Sequence, residues 1–318
     1  MAKTAPGKHF RKGISIIELF QMFPDDTTAE KWFENNRWGE NREHLCCPRC
    51  NGDRVKEAPN RKPLPYWCSD CRRHFSVKIG SAMERSKIGY QKWAIGIYMW
   101  ATSLKGVSSM KLHRDLKITQ KSAYFMAQRL REAWPVDTGE PMDGPVEADE
   151  THIGGKRKNM SNAKRKELAD AGRGAVGKTA IAAVKDRATN QVRTKVVENV
   201  DAETLQQFVV GNTTESATVY TDDATAYHSI DRHHESVKHS VSEYVKGQAH
   251  TNGVESFWSL LKRGYYGTFH HISEKHLHRY VREFSNRHNA RPMDTVEMMR
   301  EFHAGLIGKR LMYRDLIA

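Results

Sequence analysis

A multidomain protein, part α+β and part α/β, is predicted by three features of the 318-residue sequence. Two Cys-x-x-Cys pairs stand near the front. Behind them run helical periodicities that end in a short helix, a turn and a longer basic helix. After a break rich in Pro and Gly, strand-like segments alternate with a helix and carry acidic residues.

The composition, 38% hydrophobic and 28% charged, is that of a folded chain, and the length suits two or three domains. Fifty-one Lys and Arg against 38 Asp and Glu leave a formal charge of +13, which favours polyanions, nucleic acid first, as partners. No apolar run reaches the roughly 18 to 20 residues of a membrane span, and the start lacks the apolar core of a secretory signal. A cytoplasmic protein without a membrane partner is expected. Its five cysteines crowd into positions 46 to 71, a pattern of metal binding rather than of a secreted disulfide framework.

The elements follow in order. Asp25 to Thr28 supplies capping side chains ahead of an amphipathic run, so a helix is expected from about Thr28 to Arg37. Cys47-Pro-Arg-Cys50 and Cys68-Ser-Asp-Cys71, with 17 residues between them, have the spacing of a four-thiolate zinc ribbon. Cys46 is then the spare thiol, or replaces Cys47 if the first pair is read one residue earlier. Trp93 to Ala101 fits a buried helix stopping near Leu104-Lys-Gly106. Residues 107–116, a junction at 117–120 and the run 122–131 have the shape of a helix-turn-helix. Thr119 caps its second helix, and Gln120, Lys121, Tyr124, Gln128 and Arg131 are candidates to face a DNA groove.

Residues 134–145 read as a linker, with a boundary near 140. Val146 and Ala148 then alternate with Glu147 and Asp149 as in a strand, putting both acids on one face. Segment 156–178 holds eight Lys or Arg against two acids, with Gly interleaved, and reads as a basic loop that orders on nucleic acid. Two strands, 180–184 and 193–197, a helix from Asp201 to Val210 and a strand 217–221 ending at Asp222-Asp223 complete the order of a ribonuclease-H-like α/β domain. The divisions expected are 1–85 (helix and zinc ribbon), 86–140 (helix-turn-helix), 141–290 (ribonuclease-H-like domain) and 291–318 (helix and basic tail).

On a helix from Gly253 onward, Glu255, Ser259 and Lys262 share one face, while Val254, Phe257, Leu261 and Trp258 take the other. Glu255 also stands third after Asn252, the spacing of a capping box. Three acidic centres in three contexts suggest a metal-dependent carboxylate site. Phosphodiester cleavage suits such a site, because two divalent ions about 3.5–4 Å apart stabilise the attacking and leaving oxygens. Hard oxygen ligands select magnesium or manganese, distinct from any zinc in the ribbon. The following tract, Tyr265 to Arg282, is basic, aromatic and His-rich, a composition suited to base stacking and phosphate contact.

Asp149-Glu-Thr-His-Ile-Gly-Gly-Lys, Tyr220-Thr-Asp222 and His250-Thr-Asn-Gly-Val-Glu255-Ser-Phe-Trp-Ser-Leu-Leu-Lys262-Arg-Gly264 resemble the three motif blocks of bacterial insertion-sequence transposases of the DDE type, in the group with an N-terminal zinc ribbon. The resemblance runs from about residue 20 to 290. It implies a ribonuclease-H-like catalytic domain with Asp149, Asp222 and Glu255 as ligands of two magnesium or manganese ions. Asp223 is an adjacent rival for the second ligand, and Asn252 a further candidate at the third. Lys262 is similar to the residue that contacts DNA near the cut end. Lys156, Arg157, Lys158 and Arg263 are further candidate DNA contacts. The implied activity is binding of the element's terminal inverted repeats, followed by cleavage and strand transfer on double-stranded DNA, both element ends and target. A homodimer or larger assembly on the nucleoid of a bacterium would do this. The competing expectations are a non-catalytic, sequence-specific DNA-binding regulator and a nuclease sharing the fold.

Overall fold

The structure, a computed structural model, describes residues 12–134, 139–155, 160–167, 177–222, 224–237 and 250–317. Asp223, Lys156, Arg157, Lys158 and most of the basic loop lie outside the described residues. The chain divides into two compact units, one of residues 1–135 and 290–318 and one of residues 136–289.

The first unit begins with α1 (Ile16–Met22), opened by a capping box between Ser15 and Glu18, and α2 (Asp26–Trp38). Asp25 caps α2 by accepting from the Thr28 N–H at 2.7 Å. Three short strands, β1 (Val55–Glu57), β2 (Tyr66–Cys68) and β3 (Arg73–Phe75), form an antiparallel sheet that carries the cysteines. Helix α3 (Tyr90–Thr102) is the buried helix expected from its apolar content. Helices α4 (Ser109–Leu116) and α5 (Gln120–Ala133) follow, joined through Lys117 in the left-handed region. Thr119 caps α5 through the Ser122 N–H at 3.2 Å.

The second unit holds a five-stranded sheet in the order β6-β5-β4-β7-β8. Strand β4 (Val146–Ile153) pairs antiparallel with β5 (Thr179–Asp186), and β5 antiparallel with β6 (Val192–Val197). Helix α6 (Asn162–Glu167) lies between β4 and β5, and α7 (Ala202–Val210) follows β6. Strand β7 (Thr218–Asp222) then runs parallel to β4, and β8 (His233–Val237) parallel to β7. This is the ribonuclease-H-like arrangement, with β8 added to the strands expected from sequence. Helices α8 (Asn252–Gly264) and α9 (Glu274–Asn289) close the unit, separated by a π-helical turn at Tyr265–Phe269.

Side chains alternate across this sheet, so each face has its own core. Ile181 and Ala183 pack with Val254, Phe257, Leu261 and Phe284 of α8 and α9. Ala180, Ala182 and Val184 pack with Leu205 and Val209 of α7 and with Tyr227. Part of the His-rich tract is core rather than surface: Tyr265, His276 and Tyr280 are buried, while Tyr266, His270, His271 and His278 are exposed.

Helices α10 (Thr295–Leu306) and α11 (Tyr313–Ile317) belong to the first unit. Met298, Met299, Phe302 and Leu306 join the same core as Phe33, Trp93, Trp100 and Leu130. The approach of α10 to the end of α5 needs a glycine. A Cβ on Gly305 would come within 2.1 Å of the Ala133 carbonyl oxygen. Gly305→Ala is therefore expected to destabilise this unit by about 1–3 kcal/mol, read as a lowered thermal midpoint.

Candidate active site and metal centres

In the first unit the four expected cysteines converge. Cys47 Sγ lies 3.6 Å from Cys71 Sγ, and Cys50 Sγ lies 3.6 Å from Cys68 Sγ. All four sulfurs fall within 4.8 Å of one another. A tetrahedral ion with sulfur ligands at 2.3 Å needs separations of about 3.8 Å, so one zinc-sized ion fits. Cys46 stays outside this set, which settles the register on Cys47. Burial and the neighbouring cysteines push the Cys71 thiol up, while the backbone N–H of Cys71 draws Cys68 down, and a cation among them would favour the thiolate of each.

The helix-turn-helix candidates divide. Gln120 and Lys121 are exposed at the start of α5, and Tyr124 is half-buried. Gln128 and Arg131 do not face a groove, since both are buried, with relative exposures of 0% and 2%. Both sit on α5 amid the core of the first unit, to which α3 and α10 also contribute. Arg131 instead lays its guanidinium 5.0 Å from the centre of the Trp100 ring.

In the second unit the parallel register decides the carboxylate geometry. Val146 pairs with Val219 and Glu147 with Tyr220. Asp149 and Asp222 each lie two residues beyond the last of these pairs, so both project to the α8 side of the sheet, and the Asp222 charge reaches Asp149. Each strand presents alternate residues to one face, which is why Glu147 and Asp149 point the same way. Burial pushes the Asp149 carboxyl up to about 7, helped by the charges of Glu150 and Asp222. Glu150 points to the other face, where its carboxylate accepts from the Tyr227 hydroxyl at 2.8 Å, and it too is raised by burial and by Asp222. Asp222 ends its strand by accepting from the Ala224 N–H at 3.2 Å.

Helix α8 brings the third acid. Glu255 is exposed on its first turn and accepts from the Thr251 hydroxyl at 3.1 Å. Thr251 is the residue before the helix, and Asn252 is its first helical residue rather than its cap. Lys262 is half-buried two turns later, near enough to His152 at the end of β4 to help lower that imidazole's pKa, after burial and Lys178. Arg263 is exposed. The three carboxylates are not gathered as tightly as the thiolates: among the described residues, the cysteines form the set whose ligand atoms all lie within 4.8 Å.

Residues present at this site fit hard divalent cations. Asp149 is crowded by like charges that a magnesium or manganese ion would neutralise, and its neighbours offer carboxylate oxygens. Asp149 and Asp222 offer carboxylate oxygens beside one another, and Glu255 stands on the first turn of α8, the helix whose Trp258 reaches Asp149.

One participant was hidden from sequence reasoning. Trp258, expected to be part of the apolar face of α8, is buried as expected, yet its indole N–H donates to Asp149 Oδ2 at 2.9 Å. A tryptophan is drawn to such a place by its single polar edge. Trp258→Phe removes a bond that holds Asp149 down, so the Asp149 carboxyl is expected to titrate higher than in the wild type. A carboxyl ¹³C titration of the protein without added divalent ions measures this, and an unmoved midpoint would contradict it.

Two comparisons bear on this geometry. Residues 141–289 match the family of ISXO2-like transposase domains. An uncharacterized protein in the transposable element ISH50 of Halobacterium salinarum is 28% identical to this chain over 278 residues, covering 84% of this chain and 92% of that protein.

Proposed function

Because residues 141–289 belong to the family of ISXO2-like transposase domains, we propose that this chain is the DNA transposase of an insertion element, cutting and joining DNA at the Asp149, Asp222 and Glu255 carboxylates. What supports the reading most is the parallel pairing of β4 with β7, which puts Asp149 and Asp222 each two residues past paired positions, together with the bond from Trp258 that brings α8, the helix of Glu255, to Asp149. No helix among the described residues is long and apolar enough to cross a membrane.

Divalent magnesium or manganese, when bound, supplies charge neutralisation for the attacking and leaving oxygens of phosphoryl transfer. The chain's own groups do the rest. Asp149, oriented by Trp258, and Asp222 would hold the ions with Glu255, while Lys262 offers an ammonium to a phosphate oxygen beside the end of β4. Water attacks the phosphorus at the element end. The bond to the 3′ oxygen breaks, which frees a 3′-hydroxyl and leaves the phosphate on the 5′ side. That hydroxyl then attacks a target phosphodiester, forming one P–O bond as the target's own is broken. No Ser or Tyr ester is required.

In the first unit, Cys47, Cys50, Cys68 and Cys71 would hold a structural zinc that stabilises the ribbon, and the exposed start of α5 with Gln120 and Lys121 reads the terminal repeats. Arg263 lies exposed one residue beyond Lys262 as a further DNA contact. Two or more copies pair the two element ends.

Incubation with a labelled terminal-repeat duplex, magnesium or manganese and a plasmid target tests the reading. Nicked ends with free 3′-hydroxyls and their covalent joining to the plasmid are expected. Cleavage without joining would indicate a nuclease, and binding without cleavage a regulator.

A further inference from the structure

Beneath the carboxylates lies a buried ion pair that the proposed chemistry does not use. Glu147, 1% exposed, accepts from Arg187 Nε at 2.8 Å through Oε1, and from the Val254 backbone N–H at 2.8 Å through Oε2. Arg187 donates from Nη2 to the His250 carbonyl at 2.5 Å and lays its guanidinium 4.2 Å from the centre of the Tyr220 ring. His250 Nδ1 lies 3.4 Å from Glu147 Oε1. The Arg187 backbone N–H donates to the Pro145 carbonyl at 3.0 Å, just ahead of β4.

Three of the groups in contact stand just upstream of the three acids. Glu147 precedes Asp149 by two residues on the same face of β4, Tyr220 precedes Asp222 by two residues on β7, and Val254 immediately precedes Glu255 on α8. One carboxylate and one guanidinium therefore tie together the three elements that carry the candidate ligands. The arrangement suits both groups. A carboxylate at a helix N-terminus meets unsatisfied N–H groups and the positive end of the helix dipole, and a buried charge needs a charged, hydrogen-bonded partner. Gly253 is fitted to the same contact. A Cβ there would come within 2.7 Å of Glu147 Oε2 and 2.8 Å of Lys185 Nζ, so a larger residue would push the start of α8 off the clamp.

We propose that Glu147 and Arg187 are positioning residues that set the separation of Asp149, Asp222 and Glu255, and thereby the affinity of that site for divalent metal. This rests on the metal-dependent reading of the three carboxylates. Groups that orient ligands from behind commonly change metal affinity by about 10–100-fold when altered.

Titration of the zinc-loaded full chain with Mn²⁺, following loss of the free-ion paramagnetic resonance signal, separates positioning from plain stability. Asp149→Asn gives the baseline without the site. Glu147→Gln and Gly253→Ala are expected to raise the Mn²⁺ midpoint about tenfold or more. Val197→Ala, which trims a buried residue in the core on the other face of the sheet, supplies a destabilised control expected to keep the wild-type midpoint. If Glu147→Gln does not fold, Gly253→Ala decides, since it leaves the Glu147 and Arg187 pair chemically intact. Wild-type midpoints in the clamp variants, or an equal shift in Val197→Ala, would overturn the proposal. Wild-type protein that binds no more Mn²⁺ than Asp149→Asn would instead overturn the metal reading on which the clamp depends.

Discussion

Asp149→Asn is expected to lower DNA cleavage and strand transfer by about a thousandfold or more while making the metal-free protein more stable above pH 7. The loss follows from the several kcal/mol that divalent ions contribute to phosphoryl transfer, each 1.36 kcal/mol being tenfold in rate. The gain in stability follows from the crowding of Asp149 by burial, Glu150 and Asp222, which raises its carboxyl to about 7 from the ordinary 3.8. Between those values the folded protein holds a proton that the unfolded chain has released, so stability falls as pH rises through the window. Above 7 the wild type carries the full unfavourable charge, and the amide does not. The variant's melting temperature should exceed the wild type's by a few degrees at pH 8, or about 1 kcal/mol, and the difference should shrink towards pH 5. Added Mn²⁺ should raise the wild-type midpoint and not the variant's. Equal stability at both pH values would mean that Asp149 is not strained by its neighbours.

Cys68→Ser should act as strongly on the other unit. Cys47 and Cys68 are fully buried and belong to the same core as Trp38, Tyr66 and Phe75, so losing the ion there loosens the sheet and the aromatic cluster together. Binding of a structural zinc by four cysteines is worth on the order of 10 kcal/mol in small domains. Cys68→Ser is expected to lose bound zinc, near-ultraviolet ellipticity from the aromatic cluster and affinity for the terminal repeat. Cys46→Ser, which leaves the four ligands in place, should lose none of these. A stable, DNA-binding Cys68→Ser protein would contradict a structural ion.

Local chemistry was legible in the sequence where a feature depends on its near neighbours. The Cys-x-x-Cys pairs, the Thr119 cap, the alternation that puts Glu147 and Asp149 on one face and the amphipathic α8 all have short-range causes. What stayed hidden depends on partners far along the chain. The Trp258 bond to Asp149 spans 109 positions and the Val254 bond to Glu147 spans 107, so neither could be read from spacing. Strand β8 was missed because His233-His-Glu-Ser-Val237 lacks an apolar alternation, as an edge strand paired on one side can afford. Gln128 and Arg131 were assigned to a solvent face for a similar reason. Both are buried in the core that α5 shares with α3 and with α10, an element far along the chain.

The carboxylate site is tested most directly by anomalous scattering from Mn²⁺ in crystals of the zinc-loaded protein. A manganese peak is expected between Asp149 and Asp222, within about 2.0–2.6 Å of a carboxylate oxygen of each, with Glu255 turned toward it. Crystals that bind no manganese there, at concentrations that support DNA cleavage, would contradict a transposase working through these three residues.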